Sequence, residues 1–134
     1  MLSRQDDVSL QGFDPQVFDD LLATLGNDVG RVRNVYRKFL DSTSGRLDEV
    51  RRQLATVGAG ADNAEIAASF HALKGSAWMV GAPRLAAAAG RFQEAAPALN
   101  SETLATAVDE LEAEFATFRR ELGTYLEGLP PDGR

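Results

Sequence analysis

A single histidine, His71, heads the run His71-Ala72-Leu73-Lys74-Gly75-Ser76-Ala77. Near neutral pH an uncharged imidazole offers a nucleophilic nitrogen, which makes His71 the one candidate nitrogen nucleophile of the chain. In helical spacing Lys74 lies one turn on and brings a positive charge beside the ring, while Gly75 at i+4 removes a side chain that would crowd it. A nucleophile, a cation and cleared space on one face are the parts that a phosphoryl acceptor needs. Other chemistry is excluded by composition. There is no cysteine, hence no disulfide, thiol nucleophile or thiolate metal site, which fits a reducing cytoplasm. One histidine cannot build a typical zinc site, and no carboxylates cluster with His71, so no metal site and no cofactor are expected. Gly58-Ala59-Gly60-Ala61 superficially resembles a phosphate-binding loop, but no strand precedes it and a third glycine is missing, so it reads as a turn. No other nucleotide-binding motif is present, so the chain is not expected to phosphorylate itself from ATP or to act as an enzyme.

The elements that must position His71 are helical. Residues 1–12 are polar and aperiodic and read as a flexible leader. Asp14-Pro15 is a helix start, and Val17, Phe18, Leu21, Leu22 and Leu25 form a short apolar stripe that Gly26 ends. Asp28 caps a second helix striped by Val32, Tyr36, Phe39, Thr43, Leu47, Val50, Leu54 and Val57; the weak centre Ser42-Thr43-Ser44-Gly45 leaves the stripe in phase, so one long helix is predicted. Asp62 or Asn63 caps the third helix, with Ile66, Phe70, Leu73, Ala77 and Val80 as its stripe and Gly81 as its stop. Pro83 opens the fourth, carrying Leu85, Ala89, Phe92 and Ala96 until Pro97. Ser101 and Glu102 restart the chain for a last stripe of Leu104, Val108, Leu111, Phe115, Phe118, Leu122, Tyr125 and Leu129. No period-2 segment is evident, so the fold is all-α. Short links require antiparallel neighbours, which predicts an up-down-up-down four-helix bundle over residues 13–127 with the short first helix at one end and a flexible tail over 128–134.

On a helical wheel the third stripe spans roughly an 80° arc and His71 lies roughly 140° from its centre. His71 therefore stands outside the core, with Ala67, Lys74, Gly75 and Trp78 on its side. Ala67, Ala68, Ala72 and Gly75 leave the imidazole proud of its helix. Gly75 costs roughly 1 kcal/mol relative to alanine; it serves either a close helix crossing or a partner's approach, and its outward position favours the partner. Lys74 reads as a solvated lysine or as a phosphoryl partner. Ser76 reads as helix surface. Trp78 either tucks against a neighbouring helix or forms an exposed patch that a partner covers.

His71-Ala72-Leu73-Lys74-Gly75-Ser76-Ala77, followed by Val80-Gly81-Ala82, Arg84-Leu85 and the amide of Gln93, resembles the histidine-containing phosphotransfer (HPt) domains over residues 13–127. The resemblance implies a carrier that takes phosphate from an aspartate on one receiver domain and gives it to an aspartate on another. By carry-over, His71 is phosphorylated on its distal ring nitrogen, Lys74 stabilises the phosphohistidine, Gly75 admits the receiver and Gln93 orients the ring. Ala67, Ala68, Ala72, Trp78 and Arg91 would meet the partner, with Arg84 and Arg91 attracting an acidic receiver. Mg²⁺ would come with the receiver. Trp78 departs from the small residue more usual at its position.

Fourteen Lys and Arg interleaved with twenty acids give a net charge of −6, which argues against nucleic acid and for plain solubility. No signal sequence or membrane-spanning run is present, so a cytoplasmic monomer is expected, and the initiating Met1 favours a free-standing protein over an excised domain. Two other readings compete. One is a non-catalytic helical adaptor that binds through the His71/Trp78 face. The other is the phosphoacceptor module of a sensor kinase, which fits worse because Ala72 and Gly75 stand where that type usually has an acid and a proline.

Overall fold

Asp14-Pro15 opens the first helix of the computed structural model in the way these residue types predict. The structure describes residues 11–57 and 63–129. Asp14 accepts the Gln16 amide, proline occupies the first turn, and α1 runs Pro15–Thr24. Gly26 and Asn27 then both adopt positive φ, and the Asn27 amide closes the turn on the Leu22 carbonyl at 2.7 Å. Helix α2, Val29–Val57, is one helix through Ser42–Gly45, because Thr43 in its weak centre is buried along the stripe. Helix α3 spans Asn63–Met79, α4 Pro83–Ala95, a 3₁₀ turn Ala96–Ala98, and α5 Ser101–Glu127; the described residues contain no strand. No described helix is long and apolar enough to cross a membrane.

Cross-helix contacts give the directions. Tyr36 of α2 meets Val80 while Gln53 meets Glu65, so α2 and α3 run opposite ways. Asn63 lies beside Ala96 and Lys74 beside Gly90, so α3 and α4 are antiparallel. The pairs Arg84–Glu114 and Arg91–Glu110 do the same for α4 and α5, and Phe39–Phe118 and Arg51–Asp109 for α2 and α5. The apolar stripes of all five helices meet in one core, with Phe18, Tyr36, Ile66, Phe70, Leu73, Leu85, Leu111 and Phe118 fully buried. At one end Phe18 stacks on Tyr36 and Tyr36 on Phe118, with ring centroids 5.6 and 6.2 Å apart.

One boundary differs from the sequence reading. Gly12, expected in a flexible leader, is buried: its amide and that of Phe13 both donate to Glu121 Oε1 at 3.1 Å. A Cβ there would stand 2.7 Å from Thr117, which explains the glycine. Residues 1–10 of the expected leader lie outside the described residues, as do the Gly58–Ala61 link, Asp62 and residues 130–134. Of the two cap candidates of the third helix, Asp62 lies outside the described residues, and Asn63 opens α3 with its amide donating to the Ala96 and Leu99 carbonyls at 2.9 and 2.7 Å. The last helix starts at Ser101, as expected, and Asn100 caps it in a reciprocal capping box with Thr103. Leu129, which the expected tail includes and the last stripe also claims, packs on the core as the stripe predicts.

The turn that ends α3 is held from three sides. The Tyr36 hydroxyl donates to the Val80 carbonyl at 2.8 Å, the Ala82 amide returns to Ala77 at 2.9 Å, and the Asp14 amide donates to Gly81 at 2.8 Å. Burial and the nearby Asp14 carboxylate push the Tyr36 phenol well above the ordinary tyrosine range, which keeps that donor protonated. Gly81 has φ +78°, and a Cβ would sit 2.8 Å from Val17 and 2.9 Å from the Asp14 carbonyl. Gly81→Ala is expected to cost about 2–3 kcal/mol through left-handed strain and this clash. A denaturant midpoint within error of wild type would refute that.

Candidate functional site

Helix α3 turns Ile66, Phe70, Leu73 and Ala77 to the core, which leaves the opposite face to the outside. His71 is exposed there, flanked by exposed Ala68, Ala72 and Gly75 and half-buried Ala67. A Cβ added to Gly75 would meet nothing within 4 Å. The close-crossing explanation for that glycine therefore fails; no helix of the bundle needs the space above it. Ser76 donates to the Ala72 and Leu73 carbonyls, so its hydroxyl is spent on its own helix.

Lys74 is half-buried and leans across to α4, where its stem covers Gly90. A Cβ on Gly90 would stand 3.3 Å from Lys74 Cδ and 3.9 Å from Nζ. Gly90 thus gives the lysine its bed, a role sequence reading missed. The available signal was a second glycine interior to a helix, on the element that pairs with the first. Among the described residues the Lys74 ammonium and the His71 imidazole have no hydrogen-bond or ion-pair partner. The contact also fixes register. Three residues back along α3 and three residues on along α4, the antiparallel pair brings His71 level with Gln93, which is half-buried and, among the described residues, makes no hydrogen bond.

Trp78 is 52% exposed and Met79 72% exposed, the large apolar side chains that the fold leaves out. This decides between the two readings of Trp78: it is not tucked against a neighbouring helix. Seven residues from His71, it lies about 10 Å along the axis and within about 20° of the same direction. The arginines behave differently. Arg91 pairs with Glu110 at 2.5 Å and lies over the Phe92 ring at 5.5 Å, and Arg84 pairs with Glu114 at 2.9 Å. Both therefore reach the outer surface already partnered by acids of α5.

From Ile66 to Gln93 the chain carries three cations and no acid, although acids outnumber cations twenty to fourteen overall. The stretch from Ile66 to Gln93 thus presents a nucleophile, an ammonium without a partner among the described residues, and open space on a part of an acidic protein that lacks carboxylates. Such a face lowers the cost of bringing up an anion. The family model for the Hpt domain matches residues 34–129, from the second turn of α2 through the end of α5. The chain belongs to the Hpt domain family. Searches of curated proteins and of solved structures returned no match. Hpt domains serve histidine phosphotransfer in two-component signalling and interact with receiver domains of response regulators, as phosphocarriers rather than enzymes. Within this Hpt domain the match takes in all of α3 and α4, and so every candidate site residue from Ala67 to Gln93.

Proposed function

We propose that His71 accepts a phosphoryl group from the aspartate of one receiver domain and passes it to the aspartate of another. The observation that carries this reading is the only histidine of an Hpt domain standing exposed beside an unpaired ammonium, under open space. The lone pair of the distal ring nitrogen attacks phosphorus as the P–O bond to the carboxylate breaks, and the carboxylate leaves with the electron pair. The second aspartate reverses the step, its oxygen attacking phosphorus as the P–N bond breaks. Lys74 neutralises the phosphoryl oxygens by a charge-assisted hydrogen bond, and Gln93, level with the ring, orients it. The receiver brings the Mg²⁺ and its own acidic pocket.

The pairwise antiparallel contacts support an up-down-up-down bundle of α2 to α5, with α1 across the end nearest Trp78. Ala67, Ala68 and Ala72 let a receiver come close, and Trp78 falls within the roughly 800 Å² that a partner centred on His71 would cover. Arg91 contributes at the rim, weakened by Glu110. The protein acts as a monomer in the cytoplasm.

Exposed Trp78 favours a second reading, an adaptor that binds without transferring phosphate. Incubation with phosphorylated receiver domains distinguishes the two. Transfer predicts an acid-labile, base-stable phosphoryl group on the protein, and Trp78→Ala should slow transfer by about tenfold through weaker docking. Tight binding abolished by Trp78→Ala, with no label in any case, would establish the adaptor.

A further inference from the structure

Three arginines that reach across to α5 are neutralised by its acids: Arg51 by Asp109 and Glu112, Arg84 by Glu114, Arg91 by Glu110. Arg46, in the seam between α2 and α3, is not. Its position follows from one contact on the same seam. Gln53 of α2 donates to Glu65 of α3 at 3.2 Å. Seven residues return a helix to nearly the same direction two turns along. Because α2 and α3 are antiparallel, stepping back seven from Gln53 and forward seven from Glu65 sets Arg46 opposite Ala72. Ala72 is the residue after His71, and Ala68, one turn below it, is equally small.

Arg46 is half-buried, and among the described residues its guanidinium has neither a hydrogen bond nor an ion pair. The acid nearest to it on its own helix face, Glu49, is engaged by Arg52. No acid of α3 beyond Glu65 is available to it. Lys74 leans from α3 toward α4, whereas the register sets Arg46 on the α2 side of α3, so the two cations belong to opposite seams of the histidine's helix.

We propose that Arg46 is a positioning residue of the phosphotransfer site, forming an ion pair with an acidic residue at the rim of the docked receiver domain. The inference rests on the proposed function and extends the docking surface from the α3–α4 hairpin to α2. Charge complementarity selects the occupant: a planar guanidinium with five unspent donors, set opposite the acid-free stretch of α3 that follows Glu65, suits a carboxylate from a partner whose own active site is acidic. Placed at the side of the ring, Arg46 steers and orients the partner, while Lys74 serves the transferring group.

Each receiver domain of the source organism, charged with acetyl phosphate, is titrated against wild type, Arg46→Gln and Arg46→Lys at several salt concentrations. Arg46→Gln is expected to raise the receiver concentration for half-maximal transfer about three- to tenfold at low salt, with the maximal rate unchanged and the difference vanishing at high salt. Arg46→Lys should recover most of the loss. The lifetime of the isolated phosphohistidine should be the same in all three proteins. A deficit that persists at high salt shows a merely structural role and overturns the inference, as does a shortened phosphohistidine lifetime or an Arg46→Gln protein that titrates like wild type. Failure of wild type to take label from any receiver overturns the phosphotransfer reading itself.

Discussion

His71→Gln should abolish receiver-driven labelling while leaving the fold intact. The imidazole is exposed and, among the described residues, without a hydrogen-bond partner, so its removal breaks no packing and orphans no buried group. Stability should change by less than about 0.5 kcal/mol, the range of a surface substitution away from special features. Glutamine keeps a polar side chain of similar reach but offers no nitrogen lone pair capable of attacking phosphorus. The expected pair of results is therefore an unchanged thermal midpoint and the complete loss of acid-labile phosphate. Label persisting on the His71→Gln protein would place the acceptor elsewhere. A large fall in stability would mean that His71 is structural.

Gly75→Gln separates the carrier from its partner in a different way. An interior helical glycine costs the fold about 1 kcal/mol, and the space above Gly75 is empty of the protein's own atoms. Substitution should therefore stabilise the protein, by about 0.5–1 kcal/mol, as glutamine is a good helix former. Phosphotransfer should fall by about a hundredfold or more, because a side chain one turn from His71 holds the receiver's aspartate out of reach, and small misplacements of reacting groups are costly. Stability rising as activity falls is a signature that a structural glycine cannot give. Gly81, with positive φ and Val17 and Asp14 against it, provides the contrast. Unchanged transfer by the Gly75→Gln protein would show that no partner backbone approaches there, and a loss of stability would return Gly75 to a packing role.

Much of this architecture was legible because it is written in local rules. Helical periodicity placed the core faces of all five helices, since a stripe that recurs every three or four residues can be buried only on one side. Asp14-Pro15 and Gly81 announced a start and a stop through cap chemistry and positive φ. The solvent side of His71 followed from the same wheel, as the residues that share its direction are small or charged. The misses have a common cause. The bed that Gly90 makes for Lys74 is a contact between two helices, which the spacing along either one does not reveal. Gly12 was placed in the leader because nothing local marks a glycine that must fit beneath Thr117, over a hundred residues away.

The sequence by itself determined an all-helical chain and a lone histidine turned away from its core, with a lysine and a glycine in helical register beside it. Those facts depend on spacing along one helix. Tertiary structure decided what lies across the seams. It set the stem of Lys74 over Gly90. It left Trp78 and Met79 bare. It paired Arg51, Arg84 and Arg91 with acids of α5 and left the Arg46 guanidinium without a partner among the described residues. Charge pairing and clearance between helices depend on register and packing distance, which no single helix encodes.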